Sequence, residues 1–173
     1  MALLRRLTRK FGAGLAQLAS APGADEAFLG VDLDGDGTVT NGSELLGEGT
    51  PLILATPLLR APNGFVALSQ FDSIDLLGGN NDDEISSKDE IWHKLMVWHD
   101  LDGDAVADDG EVRHPSDYGV KSFKLNYKTR EGGADRYGNI VPYWSSARLE
   151  KGLEDKDGKR RMKLIDIFFK TYD

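Results

Sequence analysis

The sequence predicts an α+β fold, and three observations carry that expectation. Capping residues followed by helical apolar spacing mark short helices in the first part of the chain. Apolar–polar alternation marks strands after residue 120. Between and beside the helices lie acid-rich, glycine-containing loops: Asp32-Leu33-Asp34-Gly35-Asp36-Gly37, the stretch 72–89 with Gly78-Gly79-Asn80-Asn81-Asp82 inside it, and Asp100-Leu101-Asp102-Gly103-Asp104. At 173 residues and 40% apolar content the chain is long enough for one domain with a real core, and its 20 glycines predict many loops.

Residues 1–20 read as a basic amphipathic helix. Leu3, Leu7, Phe11, Leu15 and Leu18 follow three-to-four spacing, with Arg5, Arg6, Arg9 and Lys10 on the other faces. A secretory signal ending at Ala19-Ser20-Ala21 reads less well, because Gly12, Gly14 and Gln17 interrupt the apolar part and Pro22 stands where cleavage would fall. Residues 21–24 form a linker, and a module is expected over 25–173. Within it, residues 27–31 read as a short strand entering the first loop and 42–46 as a helical turn. Residues 51–62 form a proline-rich connector. Asn63 is placed to cap a helix carrying Phe65, Leu68 and Phe71, and Ser87 to cap another through Ile91, Trp92 and Leu95. Residues 95–98 lead into the third loop. Phe123, Leu125 and Tyr127 alternate with polar residues as a half-buried strand. Residues 140–149 and 162–169 supply two more, so the C-terminal strands occupy 120–170. The acidic 154–159 connection reads as a hairpin turn.

Charge is sharply partitioned. Residues 1–20 hold four bases and no acid, residues 21–120 hold 21 acids against four bases, and residues 121–173 hold 13 bases against eight acids, within a net charge of −8. A generic acidic surface would spread its carboxylates, whereas here more than half fall in the three loops. Such a centre opposes nucleic-acid binding. There is no cysteine, which excludes disulfides, thiolate metal sites and a cysteine nucleophile. No apolar run reaches the roughly 20 residues of a membrane-spanning helix. His93, His99 and His114 are the only histidines and lie in no catalytic string, so no enzyme is expected.

Carboxylates at alternate places of a tight loop converge their oxygens, and hard oxygen ligands in this number suit Ca2+. A twelve-residue EF-hand loop wants oxygens at its first, third and fifth places, a bending glycine at the sixth, a backbone carbonyl at the seventh and an acid at the twelfth. Loop 3 (100–111) supplies Asp100, Asp102, Asp104, the carbonyl of Val106 and Glu111, with Ala105 in place of the glycine. Loop 1 (32–44) supplies Asp32, Asp34, Asp36 and the carbonyl of Thr38, with the closing acid one step late at Glu44. Loop 2 (72–89) begins at Asp72, carries an insertion over 73–79, and continues with Asn80, Asp82, the carbonyl of Glu84 and Asp89, with Asp83 at the bend. Two to three ions are expected.

The run from Phe28 through Asp32-Leu33-Asp34-Gly35-Asp36-Gly37 to Asn41-Gly42-Ser43-Glu44-Leu45-Leu46-Gly47 resembles the first EF-hand-like loop of a bacterial family of large exported proteins, often bearing repeats-in-toxin modules. Gly64-Phe65-Val66-Ala67-Leu68, Gly78-Gly79-Asn80, Ile91-Trp92, Val97-Trp98-His99-Asp100 and Asp135-Arg136-Tyr137-Gly138-Asn139 match in the same order. The resemblance covers roughly residues 25–173. It implies strand-loop-helix EF-hand-like calcium sites packed beside a small antiparallel sheet, no enzymatic role, and an extracellular or cell-surface location. The expected function is a non-enzymatic structural module whose calcium ions order the loops. The alternative is a calcium-gated interaction module, or a subunit of an extracellular assembly, that meets a protein partner, itself or a membrane through residues 1–20.

Overall fold

The computed structural model describes residues 15–21, 24–53, 59–74, 78–132, 134, 138–154 and 158–168. The predicted helical stripe of Leu3, Leu7 and Phe11 with its bases, the turn at Asp135-Arg136-Tyr137 and the middle of the 154–159 connection lie outside these residues.

The architecture is predominantly β, which corrects the α+β expectation. The strands are β1 (Leu15–Ala21), β2 (Ala24–Val31), β3 (Pro51–Leu52), β4 (Leu59–Arg60), β5 (Glu84–Ser86), β6 (Leu95–Trp98), β7 (Val112–Arg113), β8 (Val120–Lys124), β9 (Lys128–Thr129), β10 (Ile140–Leu149) and β11 (Arg161–Phe168). Nine of them form one antiparallel sheet in the order β5-β8-β10-β11-β1-β2-β6-β7, with β9 on β10, while β3 and β4 pair separately. Helical structure among the described residues is confined to short pieces. These are the six-residue α1 (Gly64–Ser69) and 3-10 turns at Gly42–Glu44, Gln70–Asp72, Glu90–Lys94 and Pro115–Tyr118. No helix among the described residues is long and apolar enough to cross a membrane.

Four local outcomes explain the correction. Residues 15–21 form a strand, not the second half of a helix. Leu18 faces Leu164 of β11 on one side and Ala27 of β2 on the other, so pairing supplies backbone partners that a short glycine-flanked helix would lack. Ala21 and Ala24 are register partners, so the expected linker joins two strands of the same sheet. Residues 95–98 are all buried and pair with both β2 and β7, as expected of an apolar run enclosed on both faces. The helix expected behind Ser87 is a single 3-10 turn, with Asp89 at its N-cap place. Asn63 does cap α1, accepting from the Val66 N–H at 2.8 Å.

Side chains alternate across the sheet and fill two clusters. Leu29 and Val31 of β2, Val97 of β6, Phe123 of β8 and Leu164 of β11 join Phe65, Leu68 and Phe71 around α1. The same cluster takes Ile85 of β5, so the sheet curls until strands near its two edges share one core. Phe28, Met96, Trp98 and Ile167 point to the other face, where Val39, Leu45 and Ala105 cover them.

Asp166 on the central strand β11 is fully buried. Its Oδ2 accepts from the Gly64 N–H at 3.0 Å, while Oδ1 finds no partner among the described residues. Burial pushes its carboxyl up to about 6, against the Gly64 hydrogen bond and with a smaller contribution from Glu48. The folded state therefore holds this proton where the unfolded chain releases it. Stability falls as pH rises from the ordinary carboxylate range near ~4 through about 6, and stays lower above it. Asp166→Asn keeps an acceptor for Gly64 and removes the buried charge. It should stabilise the protein at pH 7, on the order of 2 kcal/mol, and flatten the thermal-unfolding pH profile in that window. An unchanged profile would show that Asp166 does not control it.

Candidate metal centre

Each acidic loop is wound by backbone N–H groups that donate to the side chains at its first, third and fifth places. In loop 1, which leaves β2 at Val31, Asp32 Oδ1 accepts from Gly35 N at 2.7 Å and Oδ2 from Gly37 N at 3.2 Å. Asp34 accepts from Asp36 N at 3.2 Å and Asp36 from Thr38 N at 2.9 Å. In loop 3, which leaves β6, Asp100 accepts from Gly103 N at 2.8 Å and Ala105 N at 2.9 Å. Asp102 then accepts from Asp104 N at 3.0 Å and Asp104 from Val106 N at 2.7 Å. In loop 2, Asp72 accepts from Asp82 N at 3.2 Å and Asp83 N at 3.0 Å, Asn80 from Asp82 N at 3.0 Å, and Asp82 from Glu84 N at 3.2 Å.

The backbone agrees place by place. The fourth places, Gly35, Asn81 and Gly103, have φ of 82°, 55° and 78°; the sixth places, Gly37, Asp83 and Ala105, have 76°, 62° and 63°. Left-handed residues turn consecutive N–H groups inward, which lets one carboxylate collect several of them. Loop 2 reaches this geometry despite its insertion because the chain doubles back on itself. Asn81 N donates to the Asp72 carbonyl at 2.8 Å, and Gly79 lies so close to the Asp72 and Phe71 backbones that no Cβ fits.

The closing acids differ. Glu44 is 2% exposed, and its Oε2 accepts from Thr40 N at 2.9 Å and Asn41 N at 3.3 Å, while Oε1 has no partner among the described residues. Gly30 holds this segment close, since a Cβ there would meet the Glu44 carbonyl oxygen at 2.8 Å. Asp89 is 1% exposed; its Oδ2 accepts from Ser86 N at 2.8 Å and its Oδ1 is likewise without a partner. Burial raises the Asp89 carboxyl above its usual range, and the charges of Asp72 and Asp82 push the same way. Glu111 is saturated instead. Its Oε1 accepts from Leu101 N at 2.7 Å, and its Oε2 from Trp98 Nε1 and Asp108 N, both at 3.3 Å.

Among the described residues two groups converge, each residue offering one oxygen with all of them within 4.8 Å: Asp32, Asp34, Asp36 and Glu44, and Asp100, Asp102 and Asp104. The one-step-late Glu44 therefore reaches the loop 1 cluster. Glu111 does not reach that of loop 3, because the Leu101 amide and the Trp98 indole hold it aside. Asp72, Asp82 and Asp89 are not such a group. There the Lys88 ammonium sits 2.7 Å from Asp82 and holds that carboxyl below its usual range. The carbonyl places fall on Thr38, Glu84 and Val106, each directly after its loop's left-handed sixth place. Lys88 and Trp98 were not read as site residues from sequence. Lys88 was legible as a base beside the closing acid, whereas the Trp98–Glu111 bond spans 13 residues and left no local signal.

The fold and loops together define a mainly antiparallel β protein that carries three acidic loops of one repeated geometry. The chain belongs to the SPM domain family, whose profile it matches over residues 10–169. It is also 35% identical over 105 residues to the iron-regulated protein FrpA of Neisseria meningitidis serogroup C, a stretch covering 61% of this chain and 9% of that protein.

Gly79→Ala should disturb loop 2 alone. A methyl at 79 forces the insertion off Asp72 and unseats the first place of that loop. Amide NMR should show shifts at Asp82 and Asp83 with Gly37 and Ala105 unmoved; a spectrum unchanged at Asp82 and Asp83 would contradict the close approach.

Proposed function

We propose that this chain is an EF-hand-like calcium-binding module, in which bound ions neutralise and fix the acidic loops and thereby stabilise the sheet that carries them. The observation that carries the reading is Glu44. A carboxylate oxygen buried beside Asp32, Asp34 and Asp36 with no hydrogen-bond donor is costly unless a cation completes it. The donor set supports the choice of ion. Carboxylates plus the Thr38 carbonyl give an all-oxygen site, with Glu44 placed to contribute a second oxygen, and calcium takes six to eight oxygens in flexible geometry. Magnesium needs tighter octahedral ligation and gives up its waters reluctantly, so it should serve poorly. Asp89 repeats the argument in loop 2, where the 70% exposed Lys88 side chain can leave Asp82 to an ion.

Removing a closing acid should have opposite effects with and without the ion. In chelator, Glu44→Gln deletes a negative charge crowded by Asp32, Asp34 and Asp36 and should raise the melting temperature. In millimolar calcium the same variant should lose most of the calcium-dependent increase. Sites of this kind bind at roughly 10⁻⁴–10⁻³ M, and a ligand at 100 times its dissociation constant adds about 2.7 kcal/mol. The wild-type increase should therefore be plain by calorimetry, and much smaller with magnesium. Identical wild-type melting curves in calcium and chelator would remove the metal reading.

A further inference from the structure

Loops 1 and 3 are physically joined, whereas loop 2 is anchored elsewhere. The Thr38 hydroxyl of loop 1 donates to the Ala107 carbonyl of loop 3 at 3.4 Å. Val39, which follows the seventh place of loop 1, and Ala105, at the bend of loop 3, are buried in the same apolar cluster. Trp98 sits in that cluster, fully buried, two residues before loop 3 begins. Its ring packs on Phe28 of β2, the strand that feeds loop 1, with centroids 5.7 Å apart, and its indole N–H holds Glu111. Leu45, the neighbour of Glu44, belongs to the cluster too and bridges Gly30 of β2. Loop 2 shares none of this. Its Ile85 lies in the other cluster, and β5 forms the opposite edge of the sheet from β7, which follows loop 3.

The state of the closing acids gives the linkage a direction. Glu44 converges with its three aspartates and keeps one buried oxygen without a hydrogen-bond partner among the described residues, so loop 1 is set to receive an ion. Glu111 is held off its cluster by Leu101 N and Trp98 Nε1, so loop 3 must release it before it can close. Val39 and Leu45 of loop 1 share their buried cluster with Trp98, which is one of the three donors that hold Glu111, beside Leu101 N and Asp108 N. We propose that loops 1 and 3 form one two-ion centre for divalent, oxygen-seeking cations, filled cooperatively with loop 1 leading and coupled through Trp98, while loop 2 fills independently. This rests on the calcium reading above and adds to it which sites communicate.

The experiment is a calcium titration of the full chain, followed by calorimetry and by the amides of Gly37, Asp83 and Ala105, one at the sixth place of each loop. Gly37 and Ala105 should move together along a steeper-than-hyperbolic curve, and Asp83 along its own hyperbola. Asp34→Asn touches no atom of loop 3 in the described hydrogen-bond network, yet should weaken the Ala105 transition about tenfold and leave Asp83 unchanged. Trp98→Phe keeps an aromatic ring against Phe28 but removes the donor to Glu111; it should tighten loop 3 and abolish the cooperativity. Should that variant fold poorly, Glu111→Gln in the intact cluster is the second probe. It should weaken loop 3 while leaving loop 1 its affinity but not its steepness. Hyperbolic, unlinked transitions at Gly37 and Ala105, or an Asp34→Asn variant whose loop 3 affinity is unchanged, would overturn the coupling while leaving the calcium reading intact. No heat and no shifts at any of the three amides would overturn both.

Discussion

Every part of the acidic region depends on how one carboxylate per loop is surrounded by backbone N–H groups. Asp32, Asp72 and Asp100 each collect two or more inward-turned amides, and it is these bonds that let further aspartates sit nearby without scattering the loop. Coulomb repulsion between carboxylates a few ångströms apart amounts to several kcal/mol at protein-surface dielectric. Amide dipoles offset part of it. The turns thus come first, and the cluster of charge is a consequence that the turns make tolerable.

The same requirement explains what was legible. Asp-X-Asp-Gly spacing announces loops 1 and 3 because it supplies both the acceptor and the left-handed bend, whereas loop 2 reaches the same bends with Asn81 and Asp83 and is legible only from the spacing of its acids around Ile85. The sheet was much less visible. Residues 15–21 have apolar positions compatible with a helical stripe, and only partners at Ile167 and Phe28, far along the chain and across a hairpin, decide for a strand. The three-residue β5 is too short to carry a period of its own and exists because Phe123 and Lys124 of β8 bring it into register. Glu111 satisfied the twelve-place rule by spacing, yet spacing could not reveal that an indole from the preceding strand would compete for it.

Ala105 shows two local terms that oppose each other. A side chain at φ of 63° costs roughly 1–2 kcal/mol. Its methyl, however, is 1% exposed within the cluster of Trp98 and Val39, and burying a methyl group returns on the order of 0.8 kcal/mol. The residue that sequence alone marks as a weakened bend is therefore also a packing contact between loop 3 and the sheet. A glycine there would relax the turn and loosen the contact at once. Loop 1, with glycine at the same place, relies on Val39 to reach the cluster instead.

Loop 2 solves its attachment electrostatically. Glu84, whose carbonyl occupies the seventh place, extends its side chain over the sheet to Arg148 at 2.7 Å, Ser122 at 2.9 Å and, more distantly, Lys124 at 3.9 Å. The basic C-terminal strands thereby take up one acid of the loop, and the Asp83 carbonyl accepts from Leu125 N just beyond β8. These groups are partly exposed, so salt screens them and each ion pair contributes little alone. Their effect is positional. They fix the carbonyl of a loop whose other end, at Gly78-Gly79, is held by close backbone contact, and the buried oxygen of Asp89 is left between two fixed ends. A lysine cannot fill that gap, since Lys88 reaches only the outer carboxylate of Asp82. The division of the chain into an acidic middle and basic strands is thus a way of seating the acids on a sheet.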